Sequence, residues 1–139
     1  MKSKKKHSED DFQNLLDQIE DNLTKKLDLY QKKINESKMK ILCEYLKKNS
    51  TIKTLNLDDN SLSTKGSKHL SEVLRLNSTI QEINLSKNYI SDKGLKFISN
   101  SLLTNSGLKK LVLYENDLRD GFYFFQLILK HLITHLTTS

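Results

Sequence analysis

The 139-residue chain has no proline, a single cysteine and only four glycines. Without proline or a Gly/Ser-rich stretch, nothing marks an internal domain boundary, and a composition of 36% hydrophobic and 29% charged residues describes one soluble domain. The lone Cys43 excludes an internal disulfide and points to a reducing compartment, with helix packing as its expected role. Met1 to Asp11 is charged and lacks the apolar core of a signal peptide, although Asn22, Asn35, Asn49, Asn77 and Asn84 all begin Asn-x-Ser/Thr sequons. The longest strongly apolar run, around Phe122 to Leu129, is too short and interrupted to cross a bilayer, so no membrane insertion is expected.

Catalytic constellations are missing too. Gly66 and Gly94 stand in no Gly-Lys-Ser/Thr context that would cradle a phosphate. His131 and His135 are four apart on an expected last helix, but without the intervening Glu of a zinc protease or a nearby Cys they read as surface histidines. The acidic pair Asp58-Asp59 has no counterpart at the same place in other segments and reads as bend residues, not as a general acid and base. The expectation is a non-enzymatic protein with no cofactor and no metal.

What the chain does have is internal repetition. Asn49 to Leu76, Asn77 to Thr104 and Asn105 to Leu132 align without a gap at a period of 28 residues, apart from a one-place shift of a glycine in the third. The units carry Ile52, Leu55, Leu57, Asn60 and Leu62; then Ile80, Ile83, Leu85, Asn88 and Ile90; then Leu108, Leu111, Leu113, Asn116 and Leu118. This spacing is the leucine-rich-repeat consensus. Leu-x-Leu alternates with period 2 and predicts a short strand, whereas Leu70, Val73 and Leu74, or Phe97, Ile98 and Leu102, recur at helical spacing. Ser63, Ser91 and Asp120 stand where a helix N-cap belongs. Asn49, Asn77 and Asn105 fall at helix ends, where Asn tolerates a left-handed conformation. Asn60, Asn88 and Asn116 are placed to bond the backbone at the strand exit and form a ladder, and Gly66, Gly94 and Gly121 allow close approach beside the helix start.

A 28-residue unit with a full outer helix resembles the ribonuclease-inhibitor class of leucine-rich repeats, also found in Ran GTPase-activating proteins, tropomodulin and the sensor ends of nucleotide-binding immune receptors. The resemblance covers roughly Asn22 to Leu132 and implies an α/β solenoid, a short horseshoe arc with a parallel β-sheet on the concave side and helices on the convex side. It says little about function, because one scaffold carries many roles.

The ends depart from the pattern. Residues 1–10 form a basic tail, expected to be disordered, and 11–21 an amphipathic helix whose Phe12, Leu15, Leu16 and Ile19, continued by Leu23, would cover the open end of the stack. Residues 22–48 read as a degenerate repeat, with Leu27, Leu29 and Ile34 on the Leu55, Leu57 and Leu62 positions; a helical hairpin is the competing reading. Phe122, Tyr123, Phe124, Phe125, Leu127, Ile128, Leu129, Leu132, Ile133 and Leu136 are more apolar residues than one buried stripe uses, so a homodimer through this segment, further repeats, or a fold-back of 132–139 is expected to cover them.

The net charge of +6 is expected to reside mainly in Lys2, Lys4, Lys5 and Lys6, a tail that would allow a nuclear as well as a cytoplasmic location. In such a stack the residues between buried leucines face the concave side. They form columns: Lys26, Thr54, Glu82 and Lys110; Asp28, Asn56, Asn84 and Val112; Tyr30, Asp58, Ser86 and Tyr114; and Gln31, Asp59, Lys87 and Glu115. Phosphate backbones need a coherent positive stripe, and these columns mix both signs, which argues for a protein partner and against nucleic acid. Tyr30 and Tyr114 are the expected hot spots. The first three columns are the candidate partner-binding residues. The function expected is a non-catalytic interaction module, with a GTPase-activating role through Arg119, by analogy with the Ran regulators, or a fragment of a longer solenoid as alternatives.

Overall fold

The computed structural model describes residues 2–120 and 135–137, with side chains from residue 8 to 120. Along the chain run α1 (Lys2–Glu20), β1 (Lys26–Asp28), α2 (Glu36–Lys48), β2 (Thr54–Asn56), α3 (Ser63–Leu76), β3 (Glu82–Asn84), α4 (Asp92–Leu102), β4 (Lys110–Val112) and β5 (His135–Thr137). The strands lie side by side in chain order and every pair is parallel. Lys26 pairs with Thr54, Thr54 with Glu82 and Glu82 with Lys110, so each step across the sheet is one 28-residue unit. Residues 22–48 therefore contribute a strand and a helix in the same register as the units after them, and not a helical hairpin.

The core is the set of columns that face one another across these coils. Leu27, Leu55, Ile83 and Leu111 form one; Leu29, Leu57, Leu85 and Leu113 the next; and Leu42, Leu70 and Ile98 back them from the helices, all buried. Small residues let the helices approach. Ser67, Ser71, Ser99 and Ser101 are buried, and each hydroxyl donates to a carbonyl of its own helix at 2.6–2.9 Å, so these four are satisfied inside the core. A Cβ on Gly94 would come within 2.9 Å of Ser67 Oγ, and one on Gly107 within 2.1 Å of the Ser78 carbonyl, which leaves no room for any side chain at Gly107.

Two sets of asparagines hold the coils together. Asn60 Nδ2 donates to the carbonyls of Leu29, Leu57 and Asp58, while its Oδ1 accepts from Ile34 N at 2.9 Å. Asn88 repeats this with Leu57, Leu85 and Ser86 as acceptors and Leu62 N as donor, and Asn116 with Leu85, Leu113, Tyr114 and Ile90 N. The expected ladder is present, but it runs from side chain to neighbouring backbone and not from Asn to Asn. The unit-opening asparagines form a second ladder that the sequence reading missed. Asn49 and Asn77 are extended (φ −71° and −107°), not left-handed. Asn77 Nδ2 reaches back to the Leu46 and Asn49 carbonyls while its Oδ1 accepts from Thr79 N and Ile80 N, and Asn105 does the same one unit later. A rigid extended backbone places the amide across the coil junction, which a left-handed cap would not do.

The left-handed residues are elsewhere. Gln31, Asp59, Lys87 and Glu115 all have φ between 52° and 54°, so the fourth column is a row of sharp bends immediately before the ladder position. Asn22, at φ 52°, ends the first helical segment, and Leu23 beyond it is 82% exposed and takes no part in the cap. Leu16 and Ile19 are buried against the first repeat and Phe12 and Leu15 pack beside them. α1 also begins earlier than its apolar stripe predicts, at Lys2, because the proline-free, lysine-rich stretch read as a tail offers nothing to stop a helix. Among helix entrances, Ser91 accepts from Gly94 N as an N-cap should, and Asn35 does so for α2 with Lys38 N at 3.0 Å. Ser63 does not cap: it lies inside α3 at φ 53°, after Leu62, which has no side chain able to accept. Asp120 is an exposed turn residue.

β5 adds to the sheet beside β4 with His135 opposite Lys110, a step of 25 residues and not 28. His135 is thus in a strand and not on a helix with His131. His131, the apolar stretch from Phe122 to Ile133 and the homodimer expected through it lie outside the described residues.

The stack depends on the shared apolar columns, and Leu85 stands in the middle of one. Leu85→Ala is expected to destabilise the protein by about 2–5 kcal/mol, the range for a buried leucine that leaves a cavity, as read from urea melts.

Candidate functional site

The concave face is built on strands only three residues long. Their brevity has a local cause. Asp28, Asn56 and Asn84 each use Oδ1 to accept from the backbone amide two residues on (Tyr30 N, Asp58 N and Ser86 N, at 2.9–3.0 Å), an Asx turn that bends the chain out of the strand. This second column was expected to be wholly partner-binding; the structure gives it a backbone task as well. Asn56 Nδ2 also donates to Asp28 Oδ1 at 3.0 Å, linking two neighbours across the face. Val112 has no such group, and takes the fourth place half-buried.

In the first column Lys26, Glu82 and Lys110 are exposed and Thr54 half-buried. In the third, Tyr30 is 43% exposed, Asp58 and Tyr114 are half-buried, and Ser86 is only 4% exposed. Ser86 therefore offers no contact area, contrary to the expectation that the whole column would face outward. The third column follows the Asx bend and tilts toward the core, which a strict inward/outward alternation cannot foresee. Asp58 Oδ1 and Ser86 Oγ, at successive places in this column, are buried without a hydrogen-bond partner among the described residues. The face thus brings together Lys26, Glu82, Lys110 and Tyr30 as accessible groups, with Thr54, Asn56, Asn84, Val112, Asp58 and Tyr114 between them.

The bend row extends the surface beyond the sheet. Gln31, Lys33, Asp59, Lys87 and Tyr89 line a wide, shallow groove of about 620 Å³ at the strand-exit rim, where Gln31 Nε2 donates to Asp59 Oδ2 at 2.7 Å. Tyr89, 70% exposed, was not singled out from the sequence. Its signal was available: the same position in the neighbouring units holds the small or charged residues Ser61 and Asp117, so an aromatic there does not serve the repeat. A narrower cleft of about 400 Å³ lies where α1 meets the first repeat, lined by Phe12, Leu15, Asp28 and Lys32 among others.

Nothing in this surface assembles reactive chemistry. Among the described residues no three His, Cys, Asp or Glu side chains are grouped to hold a metal ion, and no helix is long and apolar enough to cross a membrane. Arg119 is exposed, with its Nε 3.9 Å from Asp117 Oδ1 and its backbone amide bonded to Asp92 Oδ1. Asn49 and Asn77, two of the sequon asparagines, are buried and fully engaged in the coil junctions, which no glycan would permit.

The comparisons agree with this architecture. A leucine-rich-repeat family model matches residues 48–71 and 76–99. Among solved structures, the chain is similar to leiomodin-1 actin-binding site 2, with a TM-score of 0.83 at 20% identity, covering 92% of this chain and 79% of that one. It is also similar to the tropomodulin C-terminal domain of Caenorhabditis elegans, with a TM-score of 0.73 at 13% identity, covering 93% of this chain and 83% of that one. No curated protein matches in sequence. The chain thus carries leucine-rich repeats and folds as a leucine-rich-repeat stack, and the structural likeness, at these identities, is a likeness of fold.

Cys43, the only thiol, is buried in α2 at the place where the next units have Ser71 and Ser99. Burial pushes its pKa up from an ordinary 9.0 to about 12, with Lys47 nearby opposing the rise. Between those values the folded protein keeps a proton that the unfolded chain loses, so the stability present below pH 9 is lost as pH rises toward 12. Native protein at pH 8 is expected not to react with a thiol-titrating disulfide, to react fully once unfolded in urea, and, as Cys43→Ser, to lose less stability across that alkaline range.

Proposed function

We propose that this chain is a non-catalytic interaction module that engages a protein partner across its concave sheet and the adjoining strand-exit rim. The observation that carries this reading is the chemistry of that surface. Accessible groups of both signs (Lys26, Glu82, Lys110, Lys87) are interleaved with tyrosines at Tyr30 and Tyr89, and the groove at the strand-exit rim is wide and shallow. Such a surface suits another protein's mixed face better than a small substrate, which would need an enclosed cavity, or a polyphosphate, which would need a single-sign stripe. Rigid support adds to this, because the Asx turns and both asparagine ladders hold the face in place before a partner arrives. The single buried cysteine supports action inside the cell.

Actin is the first partner to try, since one structural neighbour is named as an actin-binding site. The test is a pull-down from cell extract and a direct titration with purified actin, each with wild-type protein beside a Tyr30→Ala/Glu82→Lys/Lys110→Glu variant whose side chains are exposed. The expected outcome is a protein captured by the wild type and lost from the variant, with affinity down about 30-fold or more, the effect of removing an interface hot spot, and an unchanged melt. Capture that is indifferent to these substitutions would refute the concave assignment.

A further inference from the structure

The convex side carries charge that the tail does not explain. Helices α2, α3 and α4 together hold nine Lys or Arg against four Asp or Glu. Their lysines are not scattered. Lys40, Lys68 and Lys96 occupy the same place in three successive units, all exposed, and Lys65 and Lys93 form a second, shorter row one helical turn earlier. The three helices lie in matching register: Lys65 Nζ is 3.9 Å from Glu36 Oε1 on α2, Lys68 Nζ lies over the Phe97 ring on α4, and Thr64 Oγ1 meets Ser91 Oγ at 2.7 Å. Apart from the long Lys65–Glu36 pair, none of these five ammonium groups pairs with a carboxylate among the described residues. The repeat itself does not require a lysine there, because an exposed convex position is satisfied by any polar helix former.

We propose that this lysine row is a docking surface for an extended acidic peptide segment of a partner protein, separate from the concave face. Packed helices stand roughly 8–10 Å apart, so the row presents a positive charge at about that interval. In a polyproline II chain every third residue returns to the same side after about 9.3 Å, so carboxylates at every third position match the row. The flanks argue for a narrow occupant. Glu44 and Glu72, one turn further along their helices and already holding Lys47 at 2.8 and 3.4 Å, form a parallel acidic row. A bilayer or a nucleic-acid duplex, wider than one turn, would cover those acids as well and be repelled, whereas a single extended chain lies along the lysines alone. Phe97, the aromatic beside the row, has its ring face under Lys68 and so is not free to stack a base.

The test is fluorescence anisotropy with the whole chain and a short fluorescein-labelled peptide carrying Glu at every third position, at low and at raised salt. The peptide should bind, more weakly as salt rises, and Lys40→Gln/Lys68→Gln/Lys96→Gln should weaken it by about tenfold or more with an unchanged melt, as loss of complementary charges does. A Tyr30→Ala variant should bind the peptide like wild type, which separates this surface from the concave one. The proposal is overturned if the triple variant binds the peptide as well as wild type. It is equally overturned if phosphatidylserine vesicles or single-stranded oligothymidine take up the protein more tightly than the peptide, or if the peptide is lost only on mutating the concave face.

Discussion

Every turn of this solenoid must satisfy backbone groups that two consecutive coils bury between them, and asparagine side chains meet that demand. One amide can donate to two or three oxygens and accept from a backbone N–H, which is what Asn60, Asn88 and Asn116 do on one side of the sheet and Asn49, Asn77 and Asn105 on the other. The leucine columns supply the driving force for stacking, but leucine contacts alone are tolerant of sliding. The amide bridges are directional, and they fix the 28-residue step. An unmade bond there costs more than a made one contributes, because the carbonyls cannot reach water.

That constraint shapes the functional surface. With the ladder fixed, the chain must leave the strand, bend sharply and arrive at the Asn in a set geometry. The Asx turns at Asp28, Asn56 and Asn84 begin the bend and the left-handed residues Gln31, Asp59, Lys87 and Glu115 complete it. The face left for a partner is consequently short along the strands and wide across them. It continues naturally onto the rim where Tyr89 stands, while the third column sinks far enough to bury Ser86. The convex helices are freer, since only their inner stripe is committed to the core. Selection can therefore place charge there without disturbing the ladders, and the lysine row is an example of such freedom.

Much of this was legible in the sequence because a repeat displays its constraints three times over. The strand register, the parallel order and the Asn60 ladder follow from residues that recur at one spacing, and even the degenerate unit shows its Leu27 and Leu29. The remainder was hidden for specific reasons. The bend row holds Gln, Asp, Lys and Glu, four side chains with no common chemistry, so no pattern announces a positive φ. Asn49 and its successors were visible but ambiguous, because the same residue type serves a left-handed cap, which Asn22 uses, and an extended bridge. Ser63 resembles Ser91 in the alignment and yet only the latter caps, a difference of one residue in where the helix begins. The charge of α2 to α4 was masked by a conspicuous lysine cluster at the N-terminus.

The most direct test of the account is the stability of Asn88→Ala, measured by urea unfolding together with amide exchange at Leu62. Loss of the side chain takes the Leu62 amide's acceptor away at the centre of the stack and removes one donor each from the carbonyls of Leu57, Leu85 and Ser86, which keep Asn60 Nδ2, Asn116 Nδ2 and the Asp59 amide. The expected result is a loss of about 1–3 kcal/mol, the cost of leaving a buried donor unsatisfied while three carbonyls lose a shared donor, with faster exchange at Leu62. A change below about 0.5 kcal/mol, the range of ordinary surface substitutions, with Leu62 still protected, would contradict the central role given to the asparagine bridges.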